Sequence, residues 1–278
     1  MIKLDRPIFL VGHARGGSTL LGAMINWHSF VGPKHPSMDE FLSINDFLKK
    51  LLEPEFHYQY ALSLERKDVW FDFFPGRNVF STIGREIIIE RSGLSEEGRN
   101  ELIHRLTNLF TDKRFFSKSP TNSFRIKVLQ EIFPDAKIIA LYRSGPEVVS
   151  SYINWSGRDT YRRLGYRKAI VTLSRKWLET IEYVEATRKD NKFLALTYDN
   201  LIENPSETLV EIFNYCELPI ENFSYDLCLT DQRSKWKDKL KFPWRQYLER
   251  QTQSGMNLYQ NVRNEFAEKI FRNLKNEK

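Results

Sequence analysis

Residues 8–21 read IFLVGHARGGSTLL, and few folds accommodate such a run. Ile8, Phe9, Leu10 and Val11 are too short an apolar stretch for a membrane span and suit a buried strand. Gly12, His13, Ala14, Arg15, Gly16 and Gly17 form a glycine-rich turn. Ser18 and Thr19 then open an apolar-periodic segment with Leu20, Leu21, Ala23 and Met24 that reads as a helix to about Trp27. Strand, glycine turn and helix N-terminus together make an anion cradle. Free N–H groups converge at the helix start, the helix dipole favours negative charge there, and glycines let the backbone come close. Arg15 adds a fixed positive charge with forked donors. The plain alternative is an ordinary strand–turn–helix corner; against it stands the joint occurrence of strand, glycines, cation and paired hydroxyls.

The spacing is nearly that of the phosphate loop G-x-x-x-x-G-K-[ST]. Gly12, Gly17 and Thr19 fit, while Ser18 stands where the lysine belongs. In nucleoside triphosphatases that lysine meets the β- and γ-phosphates and the next hydroxyl meets magnesium. Here the cation has moved into the loop, to Arg15.

Further along, residues 28–40 read as a loop punctuated by Gly32, Pro33 and Pro36, leaving the cradle and able to line a cleft beside it. Residues 41–52 carry apolar positions near helical spacing. Residues 53–93 are rich in Tyr, Trp and Phe and give no clear period; their aromatics suit core or cleft wall. Helices are expected over 96–110 and 123–133, with an extended piece at 114–117 between them. Residues 137–142, KIIALY, read as a strand ending at Arg143, followed by a helix with Pro146 and Glu147 in its first turn. Residues 193–197 read as another strand, and Asn204, Pro205 and Glu207 as a helix start.

Apolar strands alternating with amphipathic helices predict a single α/β domain over residues 1–278, P-loop-like and three-layered (α/β/α), with a central parallel sheet. Ligands of such sheets sit at the carboxyl ends of the strands, where both Gly12 and Arg143 fall. The net charge of +6 fits a lysine-rich surface or an anionic ligand. The stretch after Asp231, with Arg233, Lys235, Trp236, Lys237, Lys239, Lys241, Trp244 and Arg245, is either a solvated amphipathic tail or a basic flap over an anion. Cys216 and Cys228 are too few for a disulfide framework and lack metal spacing. With no signal peptide and no transmembrane run, the expectation is a soluble, cytoplasmic protein with reduced cysteines.

Ser151 lies eight residues beyond Arg143, in the second turn of the expected helix. Arg15 with the loop amides, and Arg143 with Ser151, make two anion clamps, which suit a nucleotide with phosphates at both its 5′ and 3′ positions. These residues resemble the sulfotransferases that use 3′-phosphoadenosine 5′-phosphosulfate (PAPS). Arg15-Gly16-Gly17-Ser18-Thr19 resembles the family's [KR]-S-G-[ST]-T loop, with glycine in place of the first serine. The strand ending at Arg143, with Ser151 following, is similar to its 3′-phosphate signature, and Tyr198 with Leu201 and Pro205 to a third segment whose tyrosine lies near the adenine. The resemblance spans roughly residues 6–220 and is closest to the R-x-G-[ST]-T-L-L type, which includes carbohydrate and tyrosylprotein enzymes.

The resemblance implies transfer of a sulfuryl group from PAPS to an acceptor hydroxyl on a carbohydrate, glycolipid or small molecule. It implies that Arg15, Gly16, Gly17, Ser18, Thr19 and Leu20 hold the 5′-phosphosulfate, that Arg143 and Ser151 hold the 3′-phosphate, and that Tyr198 lies near the adenine. Lys118 is similar to a family lysine that touches the bridging oxygen or sulfate. The acceptor needs a base in the loop after the first helix. Glu40 is favoured, His35 is second because its ordinary pKa suits a base near neutrality, and Asp39 is the third candidate. No metal is expected, since a sulfuryl group is already electrophilic. Two alternatives come from other classes. A magnesium-ATP kinase or NTPase is disfavoured by Ser18 and by the lack of an acidic residue ending KIIALYR. A nucleic-acid-binding module lacks any recognised motif to accompany the charge.

Overall fold

A computed structural model describes residues 5–32, 34–65, 88, 91–109, 112–154, 163–191, 193–220, 233 and 235–276. Five parallel strands form one sheet: β1 (Ile8–Gly12), β2 (Val31–Gly32), β3 (Arg114–Lys118), β4 (Lys137–Tyr142) and β5 (Leu194–Thr197), in the order β2-β3-β1-β4-β5. The helices are α1 (Ser18–Asn26), α2 (Ile44–Lys50), α3 (Pro54–Glu65), α4 (Glu96–Leu109), α5 (Ile126–Ile132), α6 (Gly145–Ile153), α7 (Tyr166–Asn191), α8 (Tyr198–Glu203), α9 (Pro205–Cys216), α10 (Lys235–Lys239) and α11 (Trp244–Asn276), with 3₁₀ turns at Pro36–Glu40 and Pro120–Phe124.

The three layers follow from the strand sequences. Along β1, Ile8 and Leu10 enter one core with α1, α2, α3 and α9, while Phe9 and Val11 face the opposite side. In β4, Ile139 and Leu141 join the first core and Ile138, Ala140 and Tyr142 the second. A strand buried on both faces has no polar side to present, which is why these strands read as continuous apolar runs. The edges are blunted: β2 is only two residues long, and α11 packs against β5 with residues in both cores.

The expected three-layer α/β/α fold is therefore present, with local corrections. The loop read over 28–40 contains β2, whose two residues pair with Arg114 and Phe115, too short a pairing to show in a pattern. The helix expected over 41–52 starts at Ile44, because the Ser43 side chain accepts the Asp46 N–H and fixes the start there. The helix expected over 123–133 is broken at Arg125, whose guanidinium donates to Asn122 Oδ1 at 2.6 and 3.0 Å and ends the 3₁₀ turn. Asn204 precedes α9 without capping it through its side chain, whereas Thr197 and Asn200 form a reciprocal capping box on α8. The aromatic run over 70–80, Cys228 and residues 155–162 lie outside the described residues.

Where β1 leaves the sheet, Gly12 has φ 147° and a Cβ there would lie 2.4 Å from the Leu141 carbonyl oxygen. Both the dihedral and the contact with rigid backbone forbid a side chain. Gly12→Ala is expected to destabilise the fold by about 2 kcal/mol or more. Urea unfolding of the two proteins checks this, and equal midpoints would contradict it.

Candidate functional site

Three strand ends converge. The turn after β1 passes from Gly12 to Gly17, Arg143 follows β4, and Tyr198 follows β5. The chain moves to one side of β1 for β2 and β3 and to the other for β4 and β5, so a crevice opens at the carboxyl end of β1. Gly17 caps α1 in the left-handed conformation, φ 93°, and offers the first N–H groups of α1 no side-chain acceptor of its own. A Cβ on Gly17 would lie 2.5 Å from the Tyr198 ring, so glycine is required for this close approach as well. Arg15 also has positive φ, 67°, a strained choice for a residue with a side chain.

The two predicted anion clamps form one connected cluster. Arg15 Nε donates to Ser151 Oγ at 3.1 Å, and Arg143 Nη1 donates to the Arg15 carbonyl at 3.2 Å. The Arg143 guanidinium lies 4.3 Å from the centre of the Tyr198 ring. Its Nε donates to Glu147 at 2.7 Å, and Trp177 Nε1 donates to its carbonyl at 3.0 Å. Burial pushes the Glu147 carboxyl up, against the downward pull of Arg143. A cavity of about 180 Å³ is lined by Arg15, Arg143, Glu147, Ser150, Ser151, Lys235, Trp236 and Lys239. Four cations against one carboxylate make it strongly anion-attracting. The stretch after Asp231 contributes Lys235, Trp236 and Lys239 to this wall through α10, which packs on α6.

The remaining predicted residues are spread around the cradle. Ser18 and Thr19 are buried in the first turn of α1, and Leu20 is partly buried beside the core. Lys118 ends β3 only 3% exposed, and the site of a Gly22 Cβ is 3.5 Å from its Cγ, so its stem lies across α1. Asp39 and Glu40 are exposed on the 3₁₀ turn and make no hydrogen bond or ion pair among the described residues. His35 caps that turn: its Nδ1 accepts the Ser37 N–H at 3.3 Å and lies 2.5 Å from Ser37 Oγ, with its ring against Phe56 and Tyr60. Burial lowers its pKa, partly offset by Glu40.

Sequence reading missed Glu147 as a cavity residue and His57 altogether. His57 lies in the stretch without a clear period, although Pro54 and Glu55 at the start of α3 were a usable helix signal. Burial lowers its pKa, and the charges of Arg15 and Lys118 lower it further. Among the described residues, no three His, Cys, Asp or Glu side chains are grouped to hold a metal, and no helix is long and apolar enough to cross a membrane.

Residues 7–222 match the sequence model of the Sulfotransferase family, so the chain belongs to that family. It is 28% identical to the omega-hydroxy-beta-dihydromenaquinone-9 sulfotransferases of Mycobacterium bovis and Mycobacterium tuberculosis, over 77% of this chain. The chain spans 63% of the length of those relatives. Among solved structures, the sulfotransferase domain from the curacin biosynthetic pathway is similar at TM-score 0.51 and 15% identity, covering 90% of this chain and 98% of that domain. That likeness concerns the fold.

His13 lies inside the cradle turn, 5% exposed, with Nδ1 2.6 Å from the Ala14 carbonyl. Burial pulls its pKa down from 6.5 to about 4. Between those values the unfolded chain binds a proton that the folded chain refuses. Stability contributed by neutral His13 is complete above 6.5 and is lost as pH falls towards 4, by on the order of 3 kcal/mol. His13→Asn keeps the donor to Ala14 and removes the titration. Its unfolding free energy should fall less between pH 7.5 and 5 than that of the parent chain; parallel curves would show that His13 does not titrate this way.

Proposed function

We propose that the cavity beside the glycine turn binds PAPS and that the protein transfers its sulfuryl group to an acceptor hydroxyl. The observation that carries this reading is the joining of Arg15, Arg143 and Ser151, with Lys235 and Lys239, around one cavity next to the uncapped start of α1. A triphosphate needs its cations along a linear chain of phosphates. Cations set to the side of the cradle suit a nucleotide with a second phosphate on its ribose. Family membership supports the same co-substrate.

The cradle and its flanking cations fit the group, and each takes one task. The N–H groups of Gly17, Ser18, Thr19 and Leu20 bind the 5′-phosphate, that of Gly16 being donated to the His13 carbonyl at 2.9 Å, and Arg15 neutralises charge on the leaving oxygen. Arg143, Ser151, Lys235 and Lys239 bind the 3′-phosphate, with Tyr198 near the adenine. Lys118 faces the sulfuryl oxygens. PAPS supplies an activated sulfur–oxygen bond; the chain supplies alignment, neutralisation and a proton acceptor. The acceptor is a hydroxyl of a carbohydrate, glycolipid or small molecule. The name of the mycobacterial relatives, which includes an omega-hydroxy group, supports a hydroxyl as the accepting group.

The product PAP should raise the thermal midpoint where magnesium-ATP does not. A ligand at about a hundred times its dissociation constant adds roughly 2.7 kcal/mol, which is readily seen. A shift with magnesium-ATP alone would replace this reading with a kinase. Arg143→Ala should weaken PAP binding roughly tenfold to a hundredfold, the worth of about 1.5–3 kcal/mol for a charged hydrogen bond. Binding of AMP, which lacks the 3′-phosphate, should change little in the same variant. Equal losses for both nucleotides in calorimetric titration would remove the 3′-phosphate assignment.

A further inference from the structure

The five histidines divide by what their ring nitrogens do. His35 accepts an N–H at Nδ1, so its neutral ring carries the proton on Nε2 and its lone pair is already engaged by the Ser37 N–H. His28 accepts the Phe30 N–H at Nδ1 and has Nε2 2.8 Å from the Pro219 carbonyl, so both its nitrogens are used. His13 is enclosed at 5% exposure. His104 is exposed on α4, next to Asn108. His57 differs from all of these. Its Nδ1 lies 3.2 Å from the Leu51 carbonyl and must donate to it. The neutral ring therefore has its lone pair on Nε2, which has no hydrogen-bond partner among the described residues.

The surroundings of His57 point the same way. It is half-buried on α3, which packs against α1 and β3, the two elements that carry the cradle and Lys118. Leu64 of α3 and the stem of Lys118 both lie against Gly22 of α1. The fields of Arg15 and Lys118 reach the ring. α1 itself, STLLGAMIN, carries no ionisable group, and the contribution from the ring's own segment is the Leu51 carbonyl.

We propose that His57 is the catalytic base, its Nε2 receiving the proton of the acceptor hydroxyl. This rests on the reading of the cleft as a PAPS site. In the step, the acceptor oxygen bonds to sulfur as the bond from sulfur to the bridging oxygen breaks. The electron pair of that bond stays on the 5′-phosphate of PAP beside Arg15, and the hydroxyl proton goes to Nε2. The two cations that depress the ring in the free protein are those a bound phosphosulfate neutralises. His57 thus becomes more basic when the co-substrate is in place. Glu40, exposed and without a hydrogen bond or ion pair among the described residues, is then not required as the base.

The test has an arm that needs no knowledge of the acceptor. Long-range ¹H–¹⁵N spectra of the intact protein report the tautomer and titration of His57, assigned by comparison with His57→Asn. The expected result is a proton on Nδ1 and a pKa that rises when PAP is added. A proton on Nε2, or a titration unmoved by bound PAP, overturns the proposal. In the second arm, sulfate release from PAPS is followed with water as acceptor. His57→Asn preserves a donor to the Leu51 carbonyl and removes the lone pair. It should bind PAP within twofold of the parent, lose about a hundredfold or more in turnover, and lose the acidic limb of the pH–rate profile. Glu40→Gln should keep that limb. A His57→Asn protein with full turnover and an unchanged profile removes His57 from the role while the PAPS reading stands. Failure of the parent chain to bind PAP removes the PAPS reading instead.

Discussion

The site depends on how β1 leaves the sheet. At Gly12 the chain still pairs with β4, but its register with β3 has ended at Leu10 and Lys118, which leaves a buried backbone N–H and a carbonyl without strand partners on that side. The Ser123 hydroxyl meets both: it accepts from the Gly12 N–H at 2.7 Å and donates to the Gly12 carbonyl at 3.0 Å. Buried backbone groups left unmet would cost about 1–3 kcal/mol each. The turn that follows is thereby anchored to the 3₁₀ turn after β3, and its geometry does not depend on loop residues alone. Everything at the cradle, from the strained Arg15 to the left-handed Gly17, is launched from that fixed point.

A second anchor sets the other wall. Trp177 on α7 donates to the Arg143 carbonyl, and its ring fills the space that Gly145 of α6 and Gly255 of α11 leave open. The long C-terminal helix is thus coupled to the residue that organises the cavity. Burial between Tyr198 and Glu147 holds the Arg143 guanidinium in one place before any ligand arrives, so less order must be imposed on binding. Glu147 also partly neutralises Arg143 in that state. An incoming anion then competes with a carboxylate that burial already disfavours as a charge.

Ring tautomers divide the histidines more sharply than their ordinary pKa values do. His35 and His57 both lie on the side of the cradle formed by residues 35–57, and burial depresses both. One hydrogen bond separates them: an N–H donated to His35 ties up its lone pair, while a carbonyl accepting from His57 leaves the lone pair on the outer nitrogen. The same ring chemistry makes one a helix cap and equips the other to take a proton.

The three-layer fold and the cradle could be read from the chain because each is a local pattern. Strands buried on both faces are unbroken apolar runs, and a helix start after glycines declares its open N–H groups. Arg15, Arg143 and Ser151 could be named for the same reason, since each sits at a fixed offset from a strand end. The sequence could not say that Arg15 would bond Ser151 across 136 positions, nor that α10 would wall the cavity. Periodicity records which face of an element is buried but not which distant element covers it. His57 was hidden for that reason: only the packing of α3 against α1 and β3 places its ring within the fields of Arg15 and Lys118.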